Sequence, residues 1–248
     1  MLHGMNRVGV YVDGYNLYYG ARGLCGRSTP GWRWLDLRAL SRRLLANQSR
    51  WLAPSALRVV YCTARIRGEE NKQGQIDQDV YLRALKAAGA VDHIEYGYYV
   101  SRVATAPLAT AGPQGRPRLV TPDWPIMIKN SATGPVPDAT FIASIARREE
   151  KGSDVNVATH LLYDVLRRDV DSAVVISNDS DLKLPISLSR GLVPVGLVNP
   201  TKKYRAGALG GNPNDGVGGH WWYQLQPQDL TACQLPPAVG AISRPPDW

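Results

Sequence analysis

Acidic residues stand at the ends of two β-favouring runs and at the start of a segment with helical period. Asp13 follows "RVGVYV", Asp179 and Asp181 follow "SAVVISN", and Asp154 opens "DVNVATHLL". Four carboxylates brought together would raise one another's pKa or recruit a cation. An all-oxygen set with no nearby His or Cys suits Mg²⁺ or Mn²⁺. Such an ion lowers the pKa of a bound water and stabilises a leaving oxygen, which is the chemistry of phosphodiester hydrolysis.

Each of these acidic residues also has a simpler structural explanation. Asp13 and Gly14 form a common turn pair. Asp179 or Ser180 alone suffices to cap a helix, and Asp154 or the residue before it can cap the next one. A cap needs only one such residue, so the pair of aspartates after "SAVVIS" favours a further role.

The elements that must position these residues follow an alternation of short β-branched runs and longer helical stretches. This pattern is typical of an α/β fold with a parallel sheet and crossover helices, which we expect to be a Rossmann-like three-layer α/β/α fold with a mainly parallel five-stranded sheet. The predicted strands are 7–12, 57–64, 93–100, 171–178 and 192–199. The predicted helices are 35–47 with Asp36 as N-cap, 71–89, 154–169 and 180–191.

In an open parallel sheet, reactive groups lie just beyond the carboxyl ends of the strands, where the strand order reverses. Asp13 and Asp179 both stand at such ends. Asp154 shares a stripe with Ala158, Leu161 and Val165, which should face the sheet. If the first and fourth strands are neighbours, the sequence therefore predicts one acidic pocket.

The chain of 248 residues is interpreted as a single domain, 1–248, with two irregular parts. Residues 101–138 contain seven prolines and almost no periodicity, so they are predicted to be an irregular insertion. A C-terminal extension begins at about residue 200. Three widely spaced cysteines, no 18-residue apolar run and no secretory leader favour a cytoplasmic protein without a membrane partner.

The charge balance favours a polyanionic partner. A formal net charge of +8 and a pI near 9.5 are typical of many nucleic-acid-binding proteins, although basic residues are also spread over the surfaces of proteins that bind none. RNA or DNA is therefore the expected partner, and the oligomeric state is not predicted.

Three motifs together resemble the NYN-type branch of the PIN-like nuclease superfamily. These are "VYVDGYNLYYG" (10–20), "EEKGSDVNVATHLL" (149–162) and "VVISNDSDL" (174–182), in this order. The resemblance implies a metal-dependent endoribonuclease that acts on single-stranded or flexible RNA. It assigns the acidic positions to Asp13, Asp154, Asp179 and Asp181. Asn178 and Leu182 differ from the residues that are frequent in the family.

Supporting residues are predicted around this acidic set. The resemblance places the family's asparagine at Asn16, where it could orient a water, and its lysine at Lys151, a candidate phosphate contact. Arg65 and Arg67, just past the second strand, are further candidate phosphate contacts. His160 lies off the stripe of Asp154 and is interpreted as a helix-surface residue, not a ligand.

Two other classes of function remain open at this point. The same fold could bind RNA or a protein partner without cutting it, since fold does not determine activity. A pure binding module, however, gains nothing from carboxylates that repel phosphate. A phosphatase or nucleotide hydrolase is disfavoured because the chain has no "DxDx" motif after the first strand and no P-loop.

Overall fold

The computed structural model describes residues 6–48, 51, 53–113, 116–120, 129–130, 132, 134–136 and 142–248. The chain forms two compact units, one of Met1–Tyr99 with Glu150–Trp248 and one of Val100–Glu149. The predicted irregular segment 101–138 falls within the second unit. In the described ranges no helix is long and apolar enough to cross a bilayer.

The strands in chain order are β1 (Arg7–Asp13), β2 (Ala56–Ala64), β3 (His93–Pro107), β4 (Ala109–Ala111), β5 (Pro117–Leu119), β6 (Lys129–Asn130), β7 (Gly134–Pro135), β8 (Ile142–Lys151), β9 (Ser172–Ile176), β10 (Val195–Asn199), β11 (Trp221–Gln224), β12 (Ala238–Val239) and β13 (Ile242–Ser243). The α-helices of the described ranges are α1 (Gly14–Cys25), α2 (Leu37–Ala46), α3 (Gly68–Ala87), α4 (Ser153–Leu166), α5 (Lys183–Arg190) and α6 (Pro227–Thr231).

The main sheet confirms the predicted α/β class but is larger than predicted. In the described residues it has seven strands in the order β11-β10-β9-β1-β2-β3-β8, instead of five. The pairs from β11 across to β3 are parallel. The five predicted strands all form, and the two additional strands, β8 and β11, occupy the edges. β11 is only four residues long, and β8 mixes apolar and charged residues in "IASIARREEK", so neither strand gives a clear pattern in the sequence.

Alternating strand residues build an apolar core on each face of the sheet. One core contains Val10 and Val59 and packs against α1, α2 and α3. The other contains Tyr11 and Val60 and packs against α4 and α5. Because side chains alternate along a strand, each buried strand contributes to both cores.

The central position of β1 determines where the predicted acidic residues lie. β1 pairs with β2 on one side and with β9 on the other, so Asp13 and the residues after β9 share one edge of the sheet. The strand neighbours are those that the predicted acidic pocket requires. α1 begins at once after Asp13, a helix that the sequence reading did not predict.

Candidate functional site

The carboxyl edge of β1 and β9 is held by hydrogen bonds that centre on Asp13. This side chain is the N-cap of α1 and accepts a hydrogen bond from the Asn16 backbone N–H at 3.0 Å. Its other oxygen accepts from the Ser177 hydroxyl at 2.7 Å. The Ser177 oxygen in turn accepts from the Asp179 backbone N–H at 3.1 Å. One carboxylate therefore fixes both the start of α1 and the loop after β9.

Asp13 is completely buried, which makes its charge costly. Burial raises its pKa to about 6, the hydrogen bonds from Asn16 and Ser177 oppose that rise, and the charges of Asp179 and Glu150 add to it. A carboxyl with such a pKa changes protonation close to neutral pH, as functional carboxyls often do.

Glu150, near the end of β8, and Asp154, in the first turn of α4, bring further negative charge to this edge. Burial, together with the charges of Asp13, Asp179 and Glu150, raises the pKa of Asp154 to about 7. Glu150 accepts hydrogen bonds from the Ser153 hydroxyl at 2.6 Å and the Ser153 backbone N–H. Gly152 makes this turn possible, because its φ of 95° lies in the left-handed region that favours glycine.

Asp179 and Asp181 occupy a capped turn after β9. The Asp179 side chain accepts from the Asp181 backbone N–H at 2.9 Å and caps the 3₁₀ turn Ser180–Leu182. Asp181 is exposed. The capping explanation thus holds for Asp179, while the pKa values of Asp13 and Asp154 show that it also belongs electrostatically to the acidic edge.

The acidic residues interact through their charges without forming a compact ligand set. Among the described residues, no three of them present oxygens that all lie within 4.8 Å of one another. A single Mg²⁺ bound at about 2.1 Å by three carboxylates requires closer oxygens than that. The side chains do not fit such an ion as they stand, and the Mg²⁺ or Mn²⁺ cofactor stays a prediction.

Asn16 lies in the first turn of α1, at the acidic edge. Its side-chain oxygen accepts from the Asn178 backbone N–H at 3.1 Å, so it joins α1 to the loop after β9. Lys151 is the last residue of β8 and is exposed. It precedes Asp154 by three positions in the sequence.

The two predicted arginine contacts lie beyond the end of β2. Arg65 pairs with Asp79 at 3.4 Å and its guanidinium lies 4.9 Å from the centre of the Tyr96 ring. It is therefore directed toward α3. Arg67 is exposed at the N-cap position of α3, where its side chain makes no capping hydrogen bond.

A second cluster lies on the α4 face of β3 and was missed by the sequence reading. His93 Nε2 lies 2.9 Å from Glu95 Oε2, and His160 Nε2 lies 3.2 Å from the same oxygen. The centres of the two imidazole rings are 5.0 Å apart. The hydrogen bonds with His93 and His160 lower the pKa of Glu95. We call these three residues the histidine cluster.

His160, interpreted from the sequence as a helix-surface residue, has a side chain that is 20% exposed and lies against Glu95 of β3. The residues of α4 that pack on the sheet include Val157, Leu161 and Asp164. His160 lies three positions after Val157 and four before Asp164, so it borders that stripe. The i, i+2 spacing of His93 and Glu95 on a predicted strand was a usable signal, because it puts both side chains on one face.

An aromatic cleft lies on the opposite face of the sheet, beside α1. Its volume is about 340 Å³, within the range of small-molecule sites. Tyr15 and Tyr19 pack in a tilted arrangement with ring centres 4.5 Å apart, and the ring centres of Tyr18 and Trp32 are 5.6 Å apart. Tyr61 forms part of the wall, and burial raises its pKa to about 12.

The cleft and the acidic edge meet at Gly14. A Cβ at this position would lie 2.8 Å from the Cys62 carbonyl oxygen and equally close to the Tyr61 ring. Only a glycine allows α1 to start this close to β2. The cleft also has basic residues in its wall, namely Arg22, Arg27 and Arg33.

Comparison with known proteins gives one similarity along almost the whole chain. The chain is 28% identical over 263 residues to 6-hydroxy-3-succinoylpyridine 3-monooxygenase HspA from Pseudomonas putida. The matched region covers 98% of this chain and 75% of HspA. No family model matches. A crystal structure of a protein of unknown function from Vibrio parahaemolyticus aligns with 90% of this chain and 95% of its own, at 14% identity and a TM-score of 0.42.

The similarity to HspA overturns the prediction of a metal-dependent endoribonuclease. A monooxygenase is an oxidoreductase, not a hydrolase, and the similarity to HspA extends over 98% of this chain. The physical reason for the error is that capping and helix-start aspartates recur in folds of many functions. The RNA partner, the resemblance to NYN-type proteins and the cytoplasmic location stay predictions.

Proposed function

We propose that this protein is an oxidoreductase of the monooxygenase type that acts on a small aromatic substrate in the aromatic cleft. The observation that carries the proposal is the similarity to HspA over 98% of the chain. The name of HspA gives a substrate with a hydroxylated pyridine ring that bears a succinoyl group, so a flat ring with an acidic side chain is the substrate class proposed here.

The walls of the cleft support a planar substrate. Tyr18 and Trp32 provide ring faces and edges that can pack on an aromatic ring, and such contacts contribute about 0.5–1.5 kcal/mol beyond burial. A volume of about 340 Å³ accommodates a single ring with a short side chain.

The arginines of the wall support an anionic substituent. Within the described residues, neither Arg22 nor Arg27 forms an ion pair with a carboxylate. The Arg22 guanidinium lies 5.8 Å from the centre of the Tyr19 ring. A substrate carboxylate near these side chains would form charge-assisted hydrogen bonds, which are the stronger kind.

A monooxygenase reaction requires O₂ and a donor of two electrons. One oxygen atom of O₂ is inserted into a bond of a ring carbon, and the other leaves as water after it takes up two electrons and two protons. We propose a reduced nicotinamide nucleotide as the donor of the two electrons. Asp154, at the acidic edge that meets the cleft at Gly14, is partly exposed and has a pKa of about 7, so it can exchange protons with water near neutral pH.

The test is oxygen uptake by the purified protein with hydroxylated pyridine and benzene carboxylic acids, each with reduced nicotinamide nucleotide. We expect substrate-dependent O₂ consumption and a product heavier by one oxygen, labelled when ¹⁸O₂ is used. Label from H₂¹⁸O instead of ¹⁸O₂, or no oxygen uptake with any acid of the panel under any reductant, would overturn the proposal.

A pair of variants tests the cleft itself. Arg27→Gln should raise KM for a carboxylate substrate about 10-fold or more, since a hydrogen bond to a charged group contributes about 1.5–3 kcal/mol. Arg42→Gln is the matched control, because Arg42 is exposed on α2 and does not line the cleft. Equal KM values for both variants would place the substrate elsewhere.

For the fold, we propose the Rossmann-like three-layer arrangement of PIN-like proteins, without their activity. The helices on both faces of the sheet and the position of Asp13 at the switch between β2 and β9 support it.

A further inference from the structure

The histidine cluster brings two imidazoles and one carboxylate together from two different elements. His93 and Glu95 come from β3, and His160 comes from α4. Among the described residues it is the only group of three or more His, Cys, Asp or Glu side chains whose ligand atoms all lie within 4.8 Å of one another.

The spacing of the ligand atoms fits a metal ion. Bonds of about 2.1 Å place neighbouring ligand atoms about 3.0 Å apart around an octahedral ion and about 3.4 Å apart around a tetrahedral one. The distances from Glu95 Oε2 to His93 Nε2 and His160 Nε2 are 2.9 and 3.2 Å. Small side-chain rotations would therefore let all three atoms reach one ion.

The backbone under the cluster is held in place by the sheet and its core. His93 and Glu95 pair in register with Val60 and Cys62 of β2, and both of these partners are buried beneath α4. Leu161, next to His160, is buried in the same core. Ligands on packed strands and helices keep their positions better than ligands on loops.

We propose that His93, Glu95 and His160 bind one divalent first-row transition metal ion with coordination positions left open to solvent. Imidazole nitrogen with a single carboxylate oxygen suits Zn²⁺, Fe²⁺, Co²⁺ or Ni²⁺ and does not suit Mg²⁺. The side chains of His93, Glu95 and His160 are 44%, 39% and 20% exposed, so water can reach the ion. The same set with open positions occurs in non-haem iron oxygenases and in catalytic zinc sites.

The cluster lies on the α4 face of the sheet, whereas the aromatic cleft lies on the α1 face. The inference therefore does not rest on the proposed monooxygenase function, and binding can be measured without any substrate.

The first experiment titrates the metal-free full chain with Co²⁺ alone and follows visible absorption. We expect one Co²⁺ per chain, with Kd at least 10-fold weaker in Glu95→Gln and in His160→Gln, because each loses one of three ligands. Asp169→Asn is the control, since it removes an exposed carboxylate that belongs neither to the cluster nor to the acidic edge and should bind Co²⁺ like the wild type. Binding as tight in both cluster variants as in the wild type would overturn the proposal.

A second measurement identifies the ligand atoms and excludes misfolding. Cu²⁺ bound to the wild type should show nitrogen hyperfine splitting in its electron paramagnetic resonance spectrum, and His160→Gln should reduce the number of coupled nitrogens by one. Melting in EDTA should give similar Tm values for the wild type and both cluster variants, because the side chains lie at the surface. A spectrum without coupled nitrogen would overturn the proposal.

Discussion

Replacing Asp13 by asparagine should make the protein more stable above neutral pH. The carboxyl is fully buried, beside the charges of Asp179 and Glu150. Asparagine has the same shape and is neutral at every pH. Its oxygen can accept from the Asn16 N–H, and its amide can donate to the Ser177 hydroxyl oxygen.

The size of the effect follows from the pKa of Asp13. The pKa rises from an ordinary 3.8 to about 6, and this rise corresponds to about 3 kcal/mol. The folded state binds the proton more tightly than the unfolded state, so the free energy of unfolding falls as pH rises from about 4 to about 6. In the asparagine variant the free energy of unfolding does not fall in this way, because the side chain does not ionise.

The assay is urea unfolding of both proteins at about pH 4.5 and about pH 8, with EDTA present so that no cation neutralises the carboxylate. The variant should be more stable than the wild type by about 3 kcal/mol at the higher pH, with a much smaller difference at the lower one. In a protein of this size, this is a rise in Tm of about 6–12 °C.

Asp171→Asn is the matched control, with the opposite sign. Arg7 lowers the pKa of Asp171 through a hydrogen bond and ion pair at 2.8 Å, so the ionised form stabilises the fold. That stability is present above the ordinary pKa and is lost as pH falls, so the variant should be less stable than the wild type at about pH 8. An unchanged pH dependence in Asp13→Asn would refute the reasoning that burial of this carboxylate is costly.

Three further substitutions test the fold around the site. Asp36→Ala should lower the free energy of unfolding by about 0.5–2 kcal/mol, because it removes both hydrogen bonds that cap α2, and denaturant unfolding at neutral pH checks this. Arg58→Met should cost about 1–3 kcal/mol, since it leaves the buried Asp164 without its ion-pair partner at 2.8 Å, and Asp164→Asn in the same background should recover part of the loss. Gly14→Ala should lower Tm, because its Cβ would press on the Cys62 carbonyl, and an unchanged Tm would show that α1 can shift.

The strands of the central sheet were predictable because they are buried on both faces. Such strands appear in the sequence as continuous runs of β-branched residues. The residues of β1 before Asp13 form a run of this kind. The edge strand β8 was not predicted, because its "IASIARREEK" sequence mixes apolar and charged residues without a buried pattern. Helix α1 was missed because "GYNLYYG" is rich in glycine and tyrosine, which have low helix propensity, and its N-cap on Asp13 depends on the end of β1.

The location of the acidic edge was predictable from the sequence, whereas its chemistry was not. The position of a carboxylate at a strand end follows from the sequence, whereas the spacing between carboxylates depends on loop geometry that periodicity does not supply. The histidine cluster requires knowledge that β3 borders α4, a contact between residues 65 positions apart for Glu95 and His160. No local pattern contains that information.

The bond between Ser177 and Asp13 joins residues 164 positions apart. A chain growing from its N-terminus can pair β1 with β2 early, but the other neighbour of β1 does not exist until β9 has been made. The loop that Asp13 shapes must therefore be among the last parts to order, and loop-closure entropy makes such distant pairing slow. In nascent chains that end before residue 172, the carboxylate at the end of β1 would lack the serine hydroxyl that it holds in the finished molecule.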